Sequence, residues 1–397
     1  MKQGWELKKL GDICSIKLGK TPHRKTERFW DREKQTQNVW LSISDMKHGA
    51  ELCESKEYIS DVGAELFSPT PKGTLMLSFK LTLGRVSFAG RDLYTNEAIA
   101  SLIDLDSQVS KNYLFHYFTY FDWNSATEGD IKIKGRTLNK SKLKALPIFC
   151  PPLPEQKRIV AKLDQAFTAI DQAKANVERN LQNAKDLFQS ELNQIFSQKG
   201  DGWVEKKLGD TCIVERGSSP RPIKDFLTED EDGVNWIKIG DTKHVNKYIY
   251  KTKQKITKEG AKRSRFVDID DFILTNSMSY GKSYIMKTQG YIHDGWFVLR
   301  LPSDINPEFF WYLLSSPFTI QQFESLAAGA IVKNISGDLV KKAILPIPPT
   351  NAQMGIVKKL DDFSNATHDL ESKYQQELEA LDELKKSILQ KAFNGEL

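Results

Sequence analysis

The side chains of this chain that could take part in binding chemistry are mainly cations and amides in polar turns. Arg and Lys can pair with guanine edges, Asn can pair with adenine, and all three can contact phosphate. We therefore treat them as candidate nucleic-acid contacts. In the first half of the chain the candidates are Lys20, Arg24, Lys25, Arg28, Lys80, Arg85, Lys132, Lys134 and Arg136. In the second half they are Arg216, Arg221, Lys224, Lys262, Arg263, Arg265, Asn276, Tyr280, Lys282, Lys333 and Asn334.

Sequence patterns typical of catalysis are missing. The chain has no Gly-x-x-x-x-Gly-Lys-Ser/Thr motif for ATP and no convincing Asp…Glu-x-Lys nuclease pattern. Its Pro pairs occur as Cys150-Pro-Pro-Leu and Ile347-Pro-Pro-Thr, not as the Asn-Pro-Pro-aromatic of adenine methyltransferases. The four cysteines form no Cys-x-x-Cys. We predict no catalytic residue, no metal site and no cofactor in this chain.

Several residues that could suggest chemistry are better explained by packing. The matched His48 and His244 belong to no catalytic triad or metal spacing, so we predict structural or surface roles. Cys14 and Cys212 are predicted to be small buried groups. Core packing is predicted for Trp5, Trp40, Trp203 and Trp236, and turn capping for Asp45 and Asp241.

Length and composition predict a globular, cytoplasmic protein of at least two domains. The chain has 397 residues, 40% hydrophobic and 27% charged, which is too long for one ordinary core. It contains no apolar run of membrane-spanning length, and its start lacks the features of a secretory signal. A net charge of +5 permits nucleic-acid binding without requiring it.

The chain contains an internal duplication. Residues 5–14 and 203–212 are identical at seven of ten positions, at an offset of 198 residues. Downstream, Trp-x-x-Ile-x-Asp recurs at 40–45 and 236–241, and Gln-x-x-Ile-Val-x-Lys-Leu-Asp recurs at 156–164 and 353–361. Between these landmarks the two copies diverge. This favours one scaffold that presents two different surfaces.

Each copy has two parts with different periodicity. The first part alternates apolar and polar residues in short runs and then has one helical segment, at 110–121 or 306–314, which predicts a mixed α/β globule. The second part follows a Pro-rich stretch and is free of Pro from 155 to 198 and from 352 to 393. The predicted domains are globules at 1–150 and 201–347, and spacer helices at 151–200 and 348–397.

The two long segments are predicted to form an antiparallel coiled coil. Their apolar residues recur at alternating spacings of three and four, from Ile159 to Ile195 and from Ile356 through Leu370 and Leu384 to Ile388. About 43 residues make a helix of roughly 65 Å. The predicted fold class is α+β, with two globules at opposite ends of the helical pair and pseudo-twofold internal symmetry.

The ordered, duplicated motifs resemble those of the specificity subunit of Type I restriction–modification systems. The resemblance rests on Trp-x-x-x-Lys-Leu-Gly-Asp at the start of each globule, on Trp-Ile-x-Ile-x-Asp, and on Leu-Pro-Ile followed by the Gln-x-x-Ile-Val-x-Lys-Leu-Asp helix start. It covers essentially the whole chain. It implies that each globule reads one half of a split DNA target and that the helical pair sets the spacing between the halves.

The same resemblance implies partners and cofactors. The expected partners are double-stranded DNA, two methyltransferase subunits and two restriction/translocase subunits, with no membrane. S-adenosylmethionine, ATP and Mg are expected on the partner subunits. Two other hypotheses remain open: a recognition subunit of a methyltransferase-only or related Type II system, and a coiled-coil scaffold that does not touch DNA. A stand-alone enzyme is a third class, for which the sequence offers no site.

Overall fold

The computed structural model describes residues 3–127, 131–132, 135–276, 281–327 and 335–397. The chain divides into two compact units. Unit 1 comprises residues 1–176 and 377–397, and unit 2 comprises residues 177–376. Each unit therefore contains one sheet-rich globule together with a part of each long helix. No helix in the described residues is long and apolar enough to cross a membrane.

In the described residues, the globule of unit 1 has short strands and four short α-helices. The strands are β1 (Glu6–Lys9), β2 (Ser15–Leu18), β3 (Trp30–Asp31), β4 (Val39–Leu41), β5 (Glu51–Leu52), β6 (Glu57–Ile59), β7 (Leu75–Ser78), β8 (Lys80–Leu81), β9 (Val86–Ala89), β10 (Tyr94–Thr95), β11 (Ile99–Ile103), β12 (Ile131–Lys132), β13 (Gly135–Thr137) and β14 (Pro147–Cys150). The helices are α1 (Leu10–Ile13), α2 (Asp61–Ala64), α3 (Lys111–Tyr120) and α4 (Lys140–Lys144). Its sheets have the strand orders β1-β14, β10-β4-β6-β3, β2-β11-β7-β9-β5 and β12-β13-β8.

The long helix α5 (Leu153–Gln198) follows, and then the globule of unit 2. The strands of this globule are β15 (Val204–Lys207), β16 (Ile213–Arg216), β17 (Leu227–Thr228), β18 (Val234–Ile237), β19 (Tyr248–Ile249), β20 (Gln254–Ile256), β21 (Arg265–Val267), β22 (Phe272–Thr275), β23 (Ser283–Met286), β24 (Gly290–Ile292), β25 (Trp296–Arg300) and β26 (Ile344–Ile347). The helices are α6 (Leu208–Thr211), α7 (Lys258–Ala261), α8 (Pro307–Ser315), α9 (Pro317–Ala327), α10 (Gly337–Val340) and the long α11 (Thr350–Asn394). The sheet orders are β15-β26, β16-β25-β22-β23-β19 and β17-β20-β18-β24-β21.

The repeated Leu-Gly-Asp motif forms the same local structure in both units. In unit 1 it is the short helix α1, whose Leu10 is fully buried and donates its backbone N–H to the Leu146 carbonyl at 2.9 Å. In unit 2 the buried Leu208 donates in the same way to Ala343 at 2.8 Å. A Cβ on the intervening glycine, Gly11, would lie only 3.0 Å from Lys144 Cβ. The motif therefore closes each globule where its first and last strands pair.

The expected α+β fold and the two long helices are confirmed. α5 has 46 residues and α11 has 45, and both begin two residues before the predicted Pro-free segments. The predicted helices at 110–121 and 306–314 are α3 and α8, within one residue at each end. α9, which follows α8, was not predicted, because the break at Ser316-Pro317 resembles the end of a helical segment in sequence.

Inside each unit the two long helices run antiparallel. In unit 1, Lys174 pairs with Asp382 at 2.6 Å and Asp171 pairs with Lys385 at 3.0 Å. The earlier residue of α5 pairs with the later residue of α11, so the two helices run in opposite directions. In unit 2, Glu191 and Lys359 are 2.6 Å apart, and the rings of Phe188 and Phe363 stack at 6.4 Å. The predicted antiparallel pairing is therefore present within each unit.

The predicted apolar seam of α11 is partly wrong. Leu370 is 39% exposed and Leu384 is 46% exposed, although both were assigned to the seam. Leu381, Lys385 and Ile388 are instead partly buried. The Lys385 ammonium lies 4.7 Å from the ring centre of Phe167. Because an α-helix has 3.6 residues per turn, its buried face shifts gradually relative to a strict seven-residue repeat. The aliphatic part of Lys385 therefore packs where the repeat predicts Leu384.

A fully buried glutamine fastens each long helix to its globule, which explains the repeated Gln in the helix-start motif. Gln156 Oε1 accepts the Ser110 backbone N–H at 2.8 Å, and its Nε2 donates to the carbonyls of Gln108 and Pro151 at 2.9 and 2.8 Å.

Gln353 makes the matching bonds in unit 2. Its Oε1 accepts the Asn306 N–H at 2.6 Å, and its Nε2 donates to Asp304 and Pro348 at 3.2 and 3.3 Å. Glutamine has both a donor and an acceptor end, so one buried side chain bonds three backbone groups in each unit, of which the bond to Pro151 or Pro348 is itself buried.

Candidate nucleic-acid interface

Many of the predicted contact residues in unit 2 converge on one turn, residues 292–295, which connects β24 to β25. The carboxylate of Asp294 in this turn accepts a hydrogen bond from Ser219 Oγ at 2.8 Å and an ion pair from Arg221 Nη2 at 3.3 Å. The Asp294 carbonyl accepts Arg216 Nε at 3.3 Å. The 216–221 segment is thereby joined to a turn distant in sequence, and both of its arginines bond to Asp294.

Further cations surround this turn. The loop carbonyl of Arg263 accepts Ser218 Oγ at 3.1 Å, and Ser264 Oγ donates back to the Ser218 carbonyl at 2.6 Å. Arg265 donates to the Arg216 carbonyl at 3.4 Å and pairs with Glu215 at 3.0 Å. We call Arg216, Ser219, Arg221, Arg265 and Asp294 the second-unit cluster.

The equivalent turn of unit 1, residues 95–98 between β10 and β11, carries an acid at the same position. Thr21 Oγ1 donates to Glu97 Oε2, as Ser219 does to Asp294. The backbone agrees: Gly19 donates to Ile99 and Lys20 to Thr95, while Gly217 donates to Trp296 and Ser218 to Ile292. Both turns therefore hold the preceding loop in the same way.

The charges of Lys80 and Arg24 act on Glu97. We call Lys20, Thr21, Arg24, Lys80 and Glu97 the first-unit cluster. Its arginine is held firmly, because the guanidinium carbon of Arg24 lies 4.4 Å from the ring centre of Trp30 and 4.6 Å from that of Trp40, and the side chain pairs with Glu57. Arg24 is still about half exposed, so part of its side chain remains accessible to a ligand.

Both acids are held ionised. Partial burial alone would raise the pKa of Glu97, but the hydrogen bond from Thr21 and the charges of Lys80 and Arg24 lower it below its ordinary value. Partial burial would likewise raise the pKa of Asp294, and Ser219 together with the charges of His293 and Arg221 lowers it. At neutral pH each cluster therefore presents a carboxylate that can only accept hydrogen bonds.

The other predicted residues lie at or beyond the edges of the clusters. Lys25, Arg28, Lys224, Lys262, Arg263 and Lys282 are exposed. Lys262 pairs with Glu259 at 2.8 Å, and the guanidinium of Arg263 lies 5.1 Å from the ring centre of Phe226. Lys282 directly precedes β23, and its backbone N–H donates to Thr275 Oγ1 at 3.1 Å. Their exposure is compatible with contact to a phosphate backbone.

Two predicted residues bond backbone carbonyls of their own globule. Asn276 is only 2% exposed, and its amide donates to the Asp294 carbonyl at 2.7 Å. It is corrected to a structural role, because a buried donor bonded to a carbonyl is already satisfied. Arg85 is half-buried, and its Nη1 donates to the Ile43 and Met46 carbonyls at 3.1 and 3.5 Å, while its contact with DNA stays a prediction.

Some predictions cannot be placed in the structure. Lys134, Tyr280, Lys333 and Asn334 lie outside the described residues. Lys132 is in β12 and Arg136 is in β13, and the pairing of β13 with β8 brings this hairpin beside Lys80.

The sequence reasoning missed Glu97, Asp294, Thr21 and Ser219. A signal for them existed, because Tyr94-Thr-Asn-Glu97-Ala and Tyr291-Ile-His-Asp294-Gly align at an offset of 197. The two copies are offset by 198 residues at the start of each globule but by 197 residues at this turn. The candidate contacts were also chosen mainly as cations and amides, so acidic residues were not among them.

Residues predicted to be structural mostly lie in the interior. Trp5, Trp40 and Trp236 are buried, as are Cys14 and Cys212, and Asp45 caps its turn by accepting the Ser42 N–H at 2.9 Å. His48 lies 2.9 Å from Thr119 Oγ1 and packs on Phe115, whereas His244 is exposed. Within the described residues no cluster of His, Cys, Asp or Glu is arranged to hold a metal ion.

Comparison with known families accounts for the duplication. The sequence profile of the Type I restriction modification DNA specificity domain matches the chain twice, over residues 2–179 and 200–380. The chain belongs to the Type I restriction modification DNA specificity domain family. Each match contains one globule and its helix-start motif, so the predicted tandem repeat is a pair of specificity domains.

Named relatives of this specificity-domain chain are distant. The Type I restriction enzyme MjaIX specificity subunit of Methanocaldococcus jannaschii is 26% identical over 241 residues, which cover 54% of this chain and 53% of that protein. The EcoBI specificity subunit of Escherichia coli is 23% identical over 333 residues, covering 76% and 69%. The matched region thus spans about half to two thirds of the length of these relatives.

Solved structures share the fold of this specificity-domain chain. A chain of a type I R-M system, solved in work on complex assembly and conformational transition, matches with a TM-score of 0.76 at 17% identity, covering 100% of this chain and 99% of that one. The HsdS subunit from Thermoanaerobacter tengcongensis gives 0.62 at 17% identity, covering 100% and 98%. At this identity the likeness establishes the fold.

Proposed function

We propose that this chain is the DNA-recognition subunit of a Type I restriction–modification complex. Each specificity domain reads one half of an asymmetric, bipartite duplex target, and the paired helices set the spacing between the halves. The observation that carries the proposal is the pair of clusters: one scaffold position presents cations and hydroxyls in both units, but with different residues.

The chemistry of the two clusters suits double-stranded DNA. Arginine and lysine side chains, loop hydroxyls and backbone N–H groups are the usual contacts to phosphate, and arginine also pairs with guanine edges. Because the two surfaces differ, they would select different bases, which is what an asymmetric target requires. The chain would be a recognition subunit without catalysis of its own.

Methylation, ATP hydrolysis and cleavage would then belong to partners. We propose two methyltransferase subunits docked along the helical pair and two restriction/translocase subunits joined to that core, in the cytoplasm. S-adenosylmethionine, ATP and Mg would be bound by those subunits. The exposed polar faces of α5 and α11 leave surface for such docking.

The test is selection of duplexes from a randomised pool by the full-length chain, with affinity measured against salt. We expect a split, non-palindromic consensus, and an affinity that falls by about 10³-fold or more between 50 and 200 mM salt if six or more phosphates are neutralised.

Replacing Arg221 and Lys224 together by Ala should reduce the slope of log affinity against log salt by about 2, because each contributes about one phosphate contact. Lys373→Ala, an exposed lysine on α11, is the control and should leave the slope unchanged. Equal binding to all duplexes at every salt concentration would refute the proposed function.

A further inference from the structure

Each cluster holds an acid among the cations that are predicted to contact DNA. Glu97 and Asp294 occupy the same turn position in two units whose neighbouring cations differ. On a surface that binds phosphate a carboxylate opposes binding, because it repels the duplex backbone. An acid can contribute favourably there when it accepts a hydrogen bond from a base, and the bases offer exocyclic amino donors in the major groove.

The geometry of both carboxylates leaves room for such a bond. Thr21 bonds one oxygen of Glu97, and the glutamate is exposed. In Asp294, Ser219 bonds Oδ1 and Arg221 pairs with Oδ2 at 3.3 Å, and the side chain remains 43% exposed. A carboxylate has about four acceptor positions, so each acid can accept another donor while its present partners hold its orientation.

The turns beneath the acids are held by hydrogen bonds. In unit 2 the N–H of Gly295 donates to His293 Nδ1 at 2.8 Å, and the buried Asn276 bonds the Asp294 carbonyl at 2.7 Å. In unit 1 the N–H of Ala98 donates to Asn96 Oδ1 at 3.1 Å. A side chain that reads a base must be held in place by such a supporting layer.

We propose that Glu97 and Asp294 are specificity-determining residues, each accepting a hydrogen bond from the exocyclic amino group of a cytosine or adenine in its own half-site. Thr21 and Ser219 orient the carboxylates, and the surrounding cations contact the flanking phosphates. This inference rests on the proposed function, because it assigns base contacts within the same DNA-binding surface.

The experiment compares the full-length protein with Glu97→Gln and Asp294→Asn in the randomised-duplex selection. These changes keep the shape of each side chain but replace an acceptor-only group by an amide that also donates. We expect Glu97→Gln to reduce discrimination by about tenfold at one base pair of one half-site, and Asp294→Asn to do so in the other half-site. Affinity for unrelated duplex should rise in both variants, because a negative charge is removed.

Two controls separate base reading from support of the loop. Ser219→Ala removes the orienting hydroxyl but keeps the charge, so it should weaken selection at the Asp294 position without raising affinity for unrelated duplex. Asp232→Asn removes an exposed acid outside the cluster and should leave the base preferences unchanged. Thermal unfolding of every variant reports whether the fold is retained.

The outcomes are distinct. If the wild-type chain selects a split target and both amide variants select the same bases with the same discrimination, the inference is overturned. Uniform weakening at all positions of a half-site, without a changed base preference, would assign the acids to loop support and also overturn it. If the wild-type chain selects no sequence at all, the proposed function itself fails.

Discussion

The two units fasten their long helices to their globules with the same glutamine but give the adjacent motif aspartate different partners. In unit 1, Asp164 lies 2.9 Å from Nε2 of the buried His116 on α3. In unit 2, Asp361 accepts the hydroxyl of Tyr312 on α8 at 2.6 Å. The comparison indicates that three backbone bonds at one site restrict the residue type more than a single side-chain bond does, because only glutamine among similar side chains satisfies all three.

Removing the shared glutamines should have the largest effect. Gln156→Ala leaves one N–H and two carbonyls without their side-chain partner, of which the Pro151 carbonyl is buried, and we expect a loss of about 3 kcal/mol in the free energy of unfolding. Gln353→Ala should cost a similar amount in unit 2. Denaturant unfolding combined with hydrogen-exchange mass spectrometry would measure the loss and localise it, to the start of α3 for Gln156→Ala and to the start of α8 for Gln353→Ala.

Each variant is the control for the other unit, and Gln165→Ala, an exposed position on α5, should be nearly neutral. Loss of protection in both units from either change would contradict the idea that each glutamine acts within its own unit.

The different aspartate partners predict different responses to acid. Burial lowers the pKa of His116, although the hydrogen bond and charge of Asp164 raise it. The folded state therefore resists protonation, and as pH falls below the unfolded value of about 6.5 the unfolded state gains protons first and stability is lost. His116→Gln should flatten this loss by up to about 1.4 kcal/mol per pH unit, measured by urea unfolding between pH 7.5 and pH 5.

Tyr312→Phe is the matched change in unit 2. It removes a hydrogen bond to a carboxylate but no group that titrates in this range, because burial raises the pKa of Tyr312. Its unfolding free energy should fall by a similar amount at every pH between 5 and 7.5. His48 and His293, whose pKa values burial also lowers, keep the remaining acid sensitivity in all variants. An unchanged slope in His116→Gln would refute the assignment.

The smallest effects are expected from the ion pairs between the long helices. Lys174 with Asp382 in unit 1, and Glu191 with Lys359 in unit 2, each join one exposed and one partly buried group. Double-mutant cycles should give coupling energies below about 1 kcal/mol for each pair, decreasing further in high salt. A coupling above this in one unit only would show that the helical pair is held together differently in the two units.

The fold could be predicted from the sequence because the residues of the repeated motifs occupy positions that the fold requires. Leu10, Gln156 and their counterparts recur since each fills a buried position with defined hydrogen bonds or contacts. The candidate interface was only partly accessible. Arg216 and Arg221 were found by type, but Glu97 and Asp294 gain their meaning from loops that meet in space, and Asn276 and Arg85 look like surface groups until their burial is known.

The core of unit 1 has a consequence for synthesis on the ribosome. Leu389, Ala392 and Phe393 share one hydrophobic core with Leu163, Tyr113 and Tyr117, yet they are translated about 240 residues after the globule they complete. At about 5–20 residues per second, that apolar surface of the nascent globule stays uncovered for roughly 12–48 s. Chaperone binding to the nascent chain should therefore be concentrated on α3, and it should end once α11 has left the ribosome and packed on the globule.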